Sequence, residues 1–488
     1  MRPAVGRAVR RRIVRTLLLA AIAAAGSSRT NAASPDPAAM PRPVPAAGAF
    51  RFTPPERTIL KNGLTVLVIE RRAVPLVQIR MLVRAGAAVD AAGKEGTAAL
   101  TARLLKRGTR GRTAQQFAEE TEFVGGVIGA WATHDATSIA AEFATRDVEI
   151  AFNLFADVVL NPAFREEEVA REKRLLLAEI QGILDEPAAV ASAALARTVF
   201  GAHPYGRPVE GTRRSVGAIG RGDLAAFHET RYSPHNALLV ISGDIQASQA
   251  LPRVERYFGS WKRRGPGEAK IADPVPLRGR QVVLVDRPES TQSQIRLGQV
   301  GLRRNDPEFV VAEVANGLLG GSFTSVLNEE IRVKRGLTYS IRSWLSGRRA
   351  AGVWGVSTFT KNETVLETIR LTLEQVRRVQ AGKWPEGALE KTRAFLAGQY
   401  PLRIESPEDL AAEVLSAEFF GLGPDAIPGY PAKVKRAGVE AVKREAMRVF
   451  ADENLAIVVV GPAAELRQPL SALGPVTVRT PAEIVDPS

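Results

Sequence analysis

Residues 77–83, VQIRMLV, recur 216 positions later as SQIRLGQ at 293–299, and residues 236–244, NALLVISGD, recur 218 positions later as NLAIVVVGP at 454–462. Two matches at opposite ends of a unit, at nearly one offset, mark a duplicated domain of about 200 residues rather than chance likeness between apolar strands. Inside the first copy, RTILKNGLTVLVIERR from Arg57 alternates and turns at Asn62-Gly63, a hairpin signal. GVIGAWAT (126–133) and TSIAAEFAT (137–145) read as a second strand pair. Helical spacing runs over 96–107, from Thr113 with its hydroxyl as N-cap, from Asp147, and from Arg165 to Leu184. Strands in hairpins followed by blocks of helices predict an α+β fold of two homologous domains, each an antiparallel sheet with helices packed on one face.

Composition fits that reading. At 488 residues, 45% hydrophobic and 24% charged, the chain is long enough for two packed cores. The first 33 residues carry seven arginines, no acid and the 11-residue apolar run TLLLAAIAAAG. The run is too short to span a bilayer, which takes roughly 20 residues, and the pattern is that of a secretory signal peptide. Without those seven arginines the net charge falls from +14 to +7, so half of the basicity belongs to targeting. No basic stripe with interleaved aromatics suggests nucleic acid, and no other stretch suggests a stable membrane span. With no cysteine in the chain, disulfides and a lipid-bearing cysteine are both excluded. The expected location is the bacterial periplasm, after export across the inner membrane. The expected segments are a signal peptide over 1–33, a Pro/Ala-rich linker over 34–55, domains over 56–262 and 281–466 joined by a Gly/Pro/Arg linker at 263–280, and a tail over 467–488.

Five stretches then carry a resemblance: KNGLTVLVIE (61–70), GTAALTARLLKRGT (96–109), HPYGRPVEGT (203–212), RYSPHNALLVISGDI (231–245) and GGSFTSVLNEEIRVKRGLTYS (320–340). Together they make the chain resemble the insulinase/pitrilysin family of zinc peptidases (inverzincins), in the two-domain form similar to mitochondrial processing peptidase and its bacterial relatives. In that family the 96–109 frame carries H-x-x-E-H on a helix: two imidazoles one turn apart bind zinc, and the glutamate activates water. Here the three positions are Ala99, Ala102 and Arg103. A methyl group has no lone pair to give, and a guanidinium is a fixed cation that repels a metal. The family's third ligand is a glutamate seven residues after another, a spacing matched by Glu172 and Glu179.

One carboxylate ligand cannot assemble a catalytic zinc site, which takes three protein ligands and an open position. The four histidines, His134, His203, His228 and His235, include no pair at i, i+3 or i, i+4 and offer no replacement. The expectation is therefore a chain with no metal of its own and no catalysis on its own, in which Arg103 turns to Glu179, and to Glu172 beside it, as a substitute cation. In the second half Arg332 and Tyr339, seven residues apart, match the family's substrate-holding Arg/Tyr pair. Both side chains donate hydrogen bonds of the kind that hold peptide carbonyl oxygens. The glycines of GLLGGSFTSVL lack the lysine and order of a phosphate loop.

This distribution resembles the non-catalytic subunit of the heterodimeric members. The implied partners are a homologous zinc-bearing, H-x-x-E-H subunit and a peptide or unfolded protein substrate, with zinc as the partner's cofactor. Two other readings stand beside it: a stand-alone peptide-binding or chaperone-like pseudopeptidase, and an active metallopeptidase with unconventional ligands.

Overall fold

In the computed structural model, residues 52–450 and 452–486 are described. The signal peptide read over 1–33, and most of the linker after it, lie outside them. The first half contributes β1 (Glu56–Ile59), β2 (Thr65–Glu70), β3 (Leu76–Val83), β4 (Val127–Ala132), β5 (Thr137–Ala144) and β6 (Ala237–Gly243), in the sheet order β1-β2-β6-β3-β5-β4. The second contributes β7 (Gln281–Asp286), β8 (Gln292–Val300), β9 (Ile341–Ser346), β10 (Val353–Lys361), β11 (Ala456–Gly461) and β12 (Val476–Arg479), in the order β12-β7-β11-β8-β10-β9. The Asn62-Gly63 hairpin forms as expected. Gly63 takes φ +93°, Asn62 Oδ1 accepts from Leu64 N at 3.1 Å, and its Nδ2 donates to Phe258 O at 2.7 Å.

Three features differ from the sequence expectation. The sheets are mixed rather than antiparallel: β6 is antiparallel to β3 but parallel to β2, and β11 is antiparallel to β8 but parallel to β7. The reason is geometric. β2 and β3 are joined by a short turn and run in opposite directions, so a strand that inserts between them must run parallel to one. The long helical excursion from β5 to β6 supplies the crossover that a parallel pairing needs.

The helices also cover both faces rather than one. On β2, Val66 and Val68 pack with Phe152, Phe155, Val254 and Phe258 of the first half's own helices. Leu67 and Ile69, on the other face, join a core that includes Leu410, Val414 and Leu415 of the Pro407–Phe420 helix, which comes from the second half and lies on β3 and β6. Reciprocally, the Pro187–Phe200 helix of the first half lies on β8 and β11, burying Val190, Ala194 and Leu195 against Val458 and Val460. The two helices begin 220 residues apart, so the exchange is itself part of the duplication. Burial on both faces explains why every residue of β6 and β11 is buried, in near-continuous apolar runs without alternation.

Finally, the segment after Leu466, expected as a tail, carries β12, which pairs in parallel with β7 where the first sheet has β1, and a short helix Pro481–Val485. Its single alternating turn of strand is too short to stand out against the preceding helix in the sequence. Among the described residues no helix is long and apolar enough to cross a membrane.

Candidate functional site

The Thr97–Leu105 helix is fixed at its start by two devices. Gly96 sits at φ +100°, where an added Cβ would lie 2.6 Å from Glu210 O. Asp90 accepts from Gly96 N at 2.8 Å and Ala98 N at 3.0 Å, capping amides that have no partner within the helix. Burial raises the Asp90 pKa to about 7, against the pull of those amides. All of the helix except Arg103 is buried, Ala99 at 8% exposure and Ala102 at 0%.

Arg103 reaches both Glu172 and Glu179. Its Nη1 and Nη2 donate to the two oxygens of Glu179 at 2.9 and 2.5 Å, a bidentate fork, and its Nε donates to Glu172 Oε2 at 3.3 Å. Arg107, one turn on, donates from Nε to Glu172 Oε1 at 2.7 Å. Glu172 is 2% exposed and lies between two guanidiniums; Glu179 is largely exposed. The hydrogen bond to Glu179 holds the Arg103 pKa above its ordinary value, with Glu172 adding to it against the opposing pull of burial. Two cations thus neutralise two anions. Zinc does not fit this donor set: two motif positions are methyl groups, the third is a cation, and the remaining carboxylates are already engaged. Among the described residues no group of three His, Cys, Asp or Glu side chains is placed to hold a metal.

The histidines have structural partners. His134 Nε2 lies 3.0 Å from Arg207 O, His203 Nε2 2.8 Å from Ala272 O, His228 Nε2 2.8 Å from Val159 O, and His235 Nδ1 2.8 Å from Ser233 Oγ. Burial, chiefly, lowers the pKa of His134 and of His228 to about 4 each.

In the second half, Arg332 lies on the π-helical segment Asn328–Lys334, its Cζ 4.6 Å from the Phe323 ring centroid. Tyr339 is 82% exposed and so fills no strand core. No side-chain hydrogen bond is recorded for either among the described residues, and nothing links them to Arg103. Phe323 escaped sequence reading because a single aromatic in a glycine-rich stretch has no periodicity. Arg107 was not singled out from the sequence; the signal that could have found it is its place as the i+4 neighbour of Arg103 on one helical face.

A family model described as Insulinase (Peptidase family M16) matches residues 65–213, and one described as Peptidase M16 inactive domain matches residues 218–396. The chain belongs to peptidase family M16. Its relatives include an uncharacterized zinc protease of Rickettsia bellii, 27% identical over 347 residues that span 71% of this chain and 83% of that protein. A second uncharacterized zinc protease, from Mycobacterium leprae, is 32% identical over 290 residues, 59% of this chain and 65% of that protein. Among solved structures, a peptidase M16 inactive domain from Pseudomonas fluorescens superposes with a TM-score of 0.79 at 27% identity, covering 84% of this chain and 98% of that one.

Proposed function

We propose that this M16 chain is the non-catalytic, peptide-binding subunit of a periplasmic zinc-peptidase-like complex. The observation that carries the reading is the Arg103 fork on Glu179, with Arg103 and Arg107 on Glu172: the motif positions hold a salt-bridge cluster in place of metal donors. A side-chain set that neutralises its own carboxylates has no need of an ion, and with Ala102 in place of the glutamate it has no base to activate water. The contribution of this chain is then binding. Arg332 and Tyr339, both without side-chain hydrogen bonds among the described residues and with Tyr339 highly exposed, present donors for the carbonyl oxygens of an extended peptide. β4, the edge strand of the first sheet, with Val127 and Trp131 exposed, offers backbone groups for strand addition. The catalytic zinc belongs to a homologous subunit with an intact H-x-x-E-H motif.

The test is reconstitution. The chain is purified alone and with such a homologue, and cleavage of an unstructured peptide is followed with and without chelator. Chelator-sensitive cleavage is expected of the mixture and not of this chain alone. Arg332→Ala and Tyr339→Ala in this chain are each expected to lower kcat/KM of the mixture by about tenfold or more, the loss of a hydrogen-bond donor to substrate. If both variants leave the mixture unchanged, the role given to these two residues is wrong.

A further inference from the structure

The duplication supplies an internal control for one buried charge. Arg80 on β3 and Arg296 on β8 hold the same position in VQIRMLV and SQIRLGQ. Arg80 forms a salt bridge with Glu408, the second residue of the helix that crosses over from the other half. The equivalent second residue of the Pro187–Phe200 helix is Ala188, and there Arg296 meets only backbone: Nη2 donates to Ala188 O at 3.3 Å. Its remaining bonds are from Nε to Ser192 Oγ at 3.4 Å, and from Nη1 to Ile295 O at 2.9 Å, and to Thr358 O and Gln294 Oε1 at 3.4 Å each. Arg296 is 9% exposed, yet it forms no ion pair with any described carboxylate. Burying a guanidinium without a counter-ion is costly, and the first half shows how this fold otherwise avoids that cost.

The neighbouring strands add to the imbalance. In the first sheet the cross-strand row through Arg80 continues to Ala140 and Gly129. In the second sheet the matching row runs Arg296, Ser357, Arg342, with the second guanidinium two strands away, about 10 Å at strand spacing. The Arg342 side chain donates to Ser357 Oγ at 3.4 Å and forms no ion pair with any described carboxylate. Burial, and then the charge of Arg342, bring the Arg296 pKa down to about 10, so Arg296 is still a cation at neutral pH. Between them lies a cavity of 560 Å³, lined by both arginines and by Ser192, Ser343 and Ser357.

We propose that this cavity binds a carboxylate of a ligand, held by Arg296 and Arg342 and supported by the hydroxyl of Ser357, in the place that Glu408 fills beside Arg80. Two guanidiniums with an adjacent hydroxyl donor match a carboxylate's two oxygens, and at the pseudo-symmetric position Glu408 sets a carboxylate against Arg80. The source is either the side chain of an acidic residue or a chain-terminal carboxylate. That the ligand is a peptide rests on the peptide-binding role proposed above; that it brings a carboxylate does not.

Fluorescence-polarisation titrations of the full chain would use four versions of one labelled, unstructured peptide: a central Glu or Gln, each with a C-terminal acid or amide. The wild type is expected to favour the acid member of one pairing by about tenfold, the worth of one charge-assisted hydrogen-bonded contact, and which pairing shows it identifies the source. Arg342→Gln, at an exposed position, is expected to reduce that preference to within about twofold. Ala188→Glu supplies the missing partner from within, so it is expected to abolish the preference and raise the melting temperature. Equal affinity of the wild type for all four peptides, or a preference untouched by Ala188→Glu, overturns the proposal. Should none of the peptides bind, the peptide-binding role fails, and thermal shifts with glutarate decide the cavity on its own. Stabilisation of the wild type but not of Ala188→Glu upholds the carboxylate site; equal response of the two overturns it.

Discussion

Arg103 holds together a cluster whose strength is concentrated in its buried member. Glu172 is buried and receives hydrogen bonds from both Arg103 and Arg107, while the Glu179 fork is largely in water and is worth less per contact. Arg103→Ala is therefore expected to cost about 1–3 kcal/mol, because Arg107 still answers Glu172, and Glu179→Gln less than about 1 kcal/mol; denaturant titrations of both variants check this order. The buried histidines set a pH dependence of opposite kind. His134 and His228 have folded-state pKa values of about 4, below the ordinary value near 6.5, so on acidification the unfolded chain takes up protons first. Stability is intact above about pH 6.5 and falls as the pH drops toward 4. Asp90, raised to about 7, works the other way, its folded state holding the extra proton as the pH falls. With two groups against one, melting temperature is expected to fall between pH 6.5 and 4.5, and Asp90→Asn to steepen that fall. At this scale the sequence was informative wherever a motif fixes a spacing: Glu172 and Glu179, seven residues apart, could be named from it, and the reach of Arg103 to them followed from charge. Arg296 was not legible as a site, because its lack of a counter-ion is set by Ala188, 108 positions away in the chain and adjacent only in space.

At the scale of elements, the exchange of the Pro187–Phe200 and Pro407–Phe420 helices makes each sheet depend on the other half. Leu410 belongs by sequence to the second half, yet it packs in the core that contains Leu67 and Ile69 of β2. Leu410→Ala is expected to destabilise by about 2–4 kcal/mol. A fragment ending near residue 262 loses that helix and exposes the β3–β6 face, so it is expected to aggregate or to lose fixed tertiary structure, with near-ultraviolet circular dichroism weak beside that of the full chain. The strands themselves were legible: the hairpin at Asn62-Gly63, the β4–β5 pair and the buried runs of β6 and β11 follow from turn chemistry and apolar pattern. Their directions and coverings were not. An all-apolar run such as ALLVISG is equally compatible with either direction, and an amphipathic helix does not encode which of two similar sheets it will cover.

For the molecule as a whole, the duplication gives two copies of one scaffold whose sites have diverged. The first sheet's half carries the salt-bridge cluster on Glu172 and Glu179; the second carries Arg332, Tyr339 and the Arg296–Arg342 cavity. Offsets of 216 and 218 between matching strands made the duplication readable from the chain, and five motif stretches added the family likeness, whereas the place of β12 beside β7 depended on a long-range parallel pairing. The central claim is that a guanidinium cluster stands where the family holds its metal, and the most direct measurement is metal analysis of the isolated chain after equilibration with zinc and removal of excess, paired with a peptide-cleavage assay. Far less than one equivalent of zinc and no chelator-sensitive turnover are expected; one zinc per chain together with such turnover would rule the guanidinium cluster out as the metal's replacement.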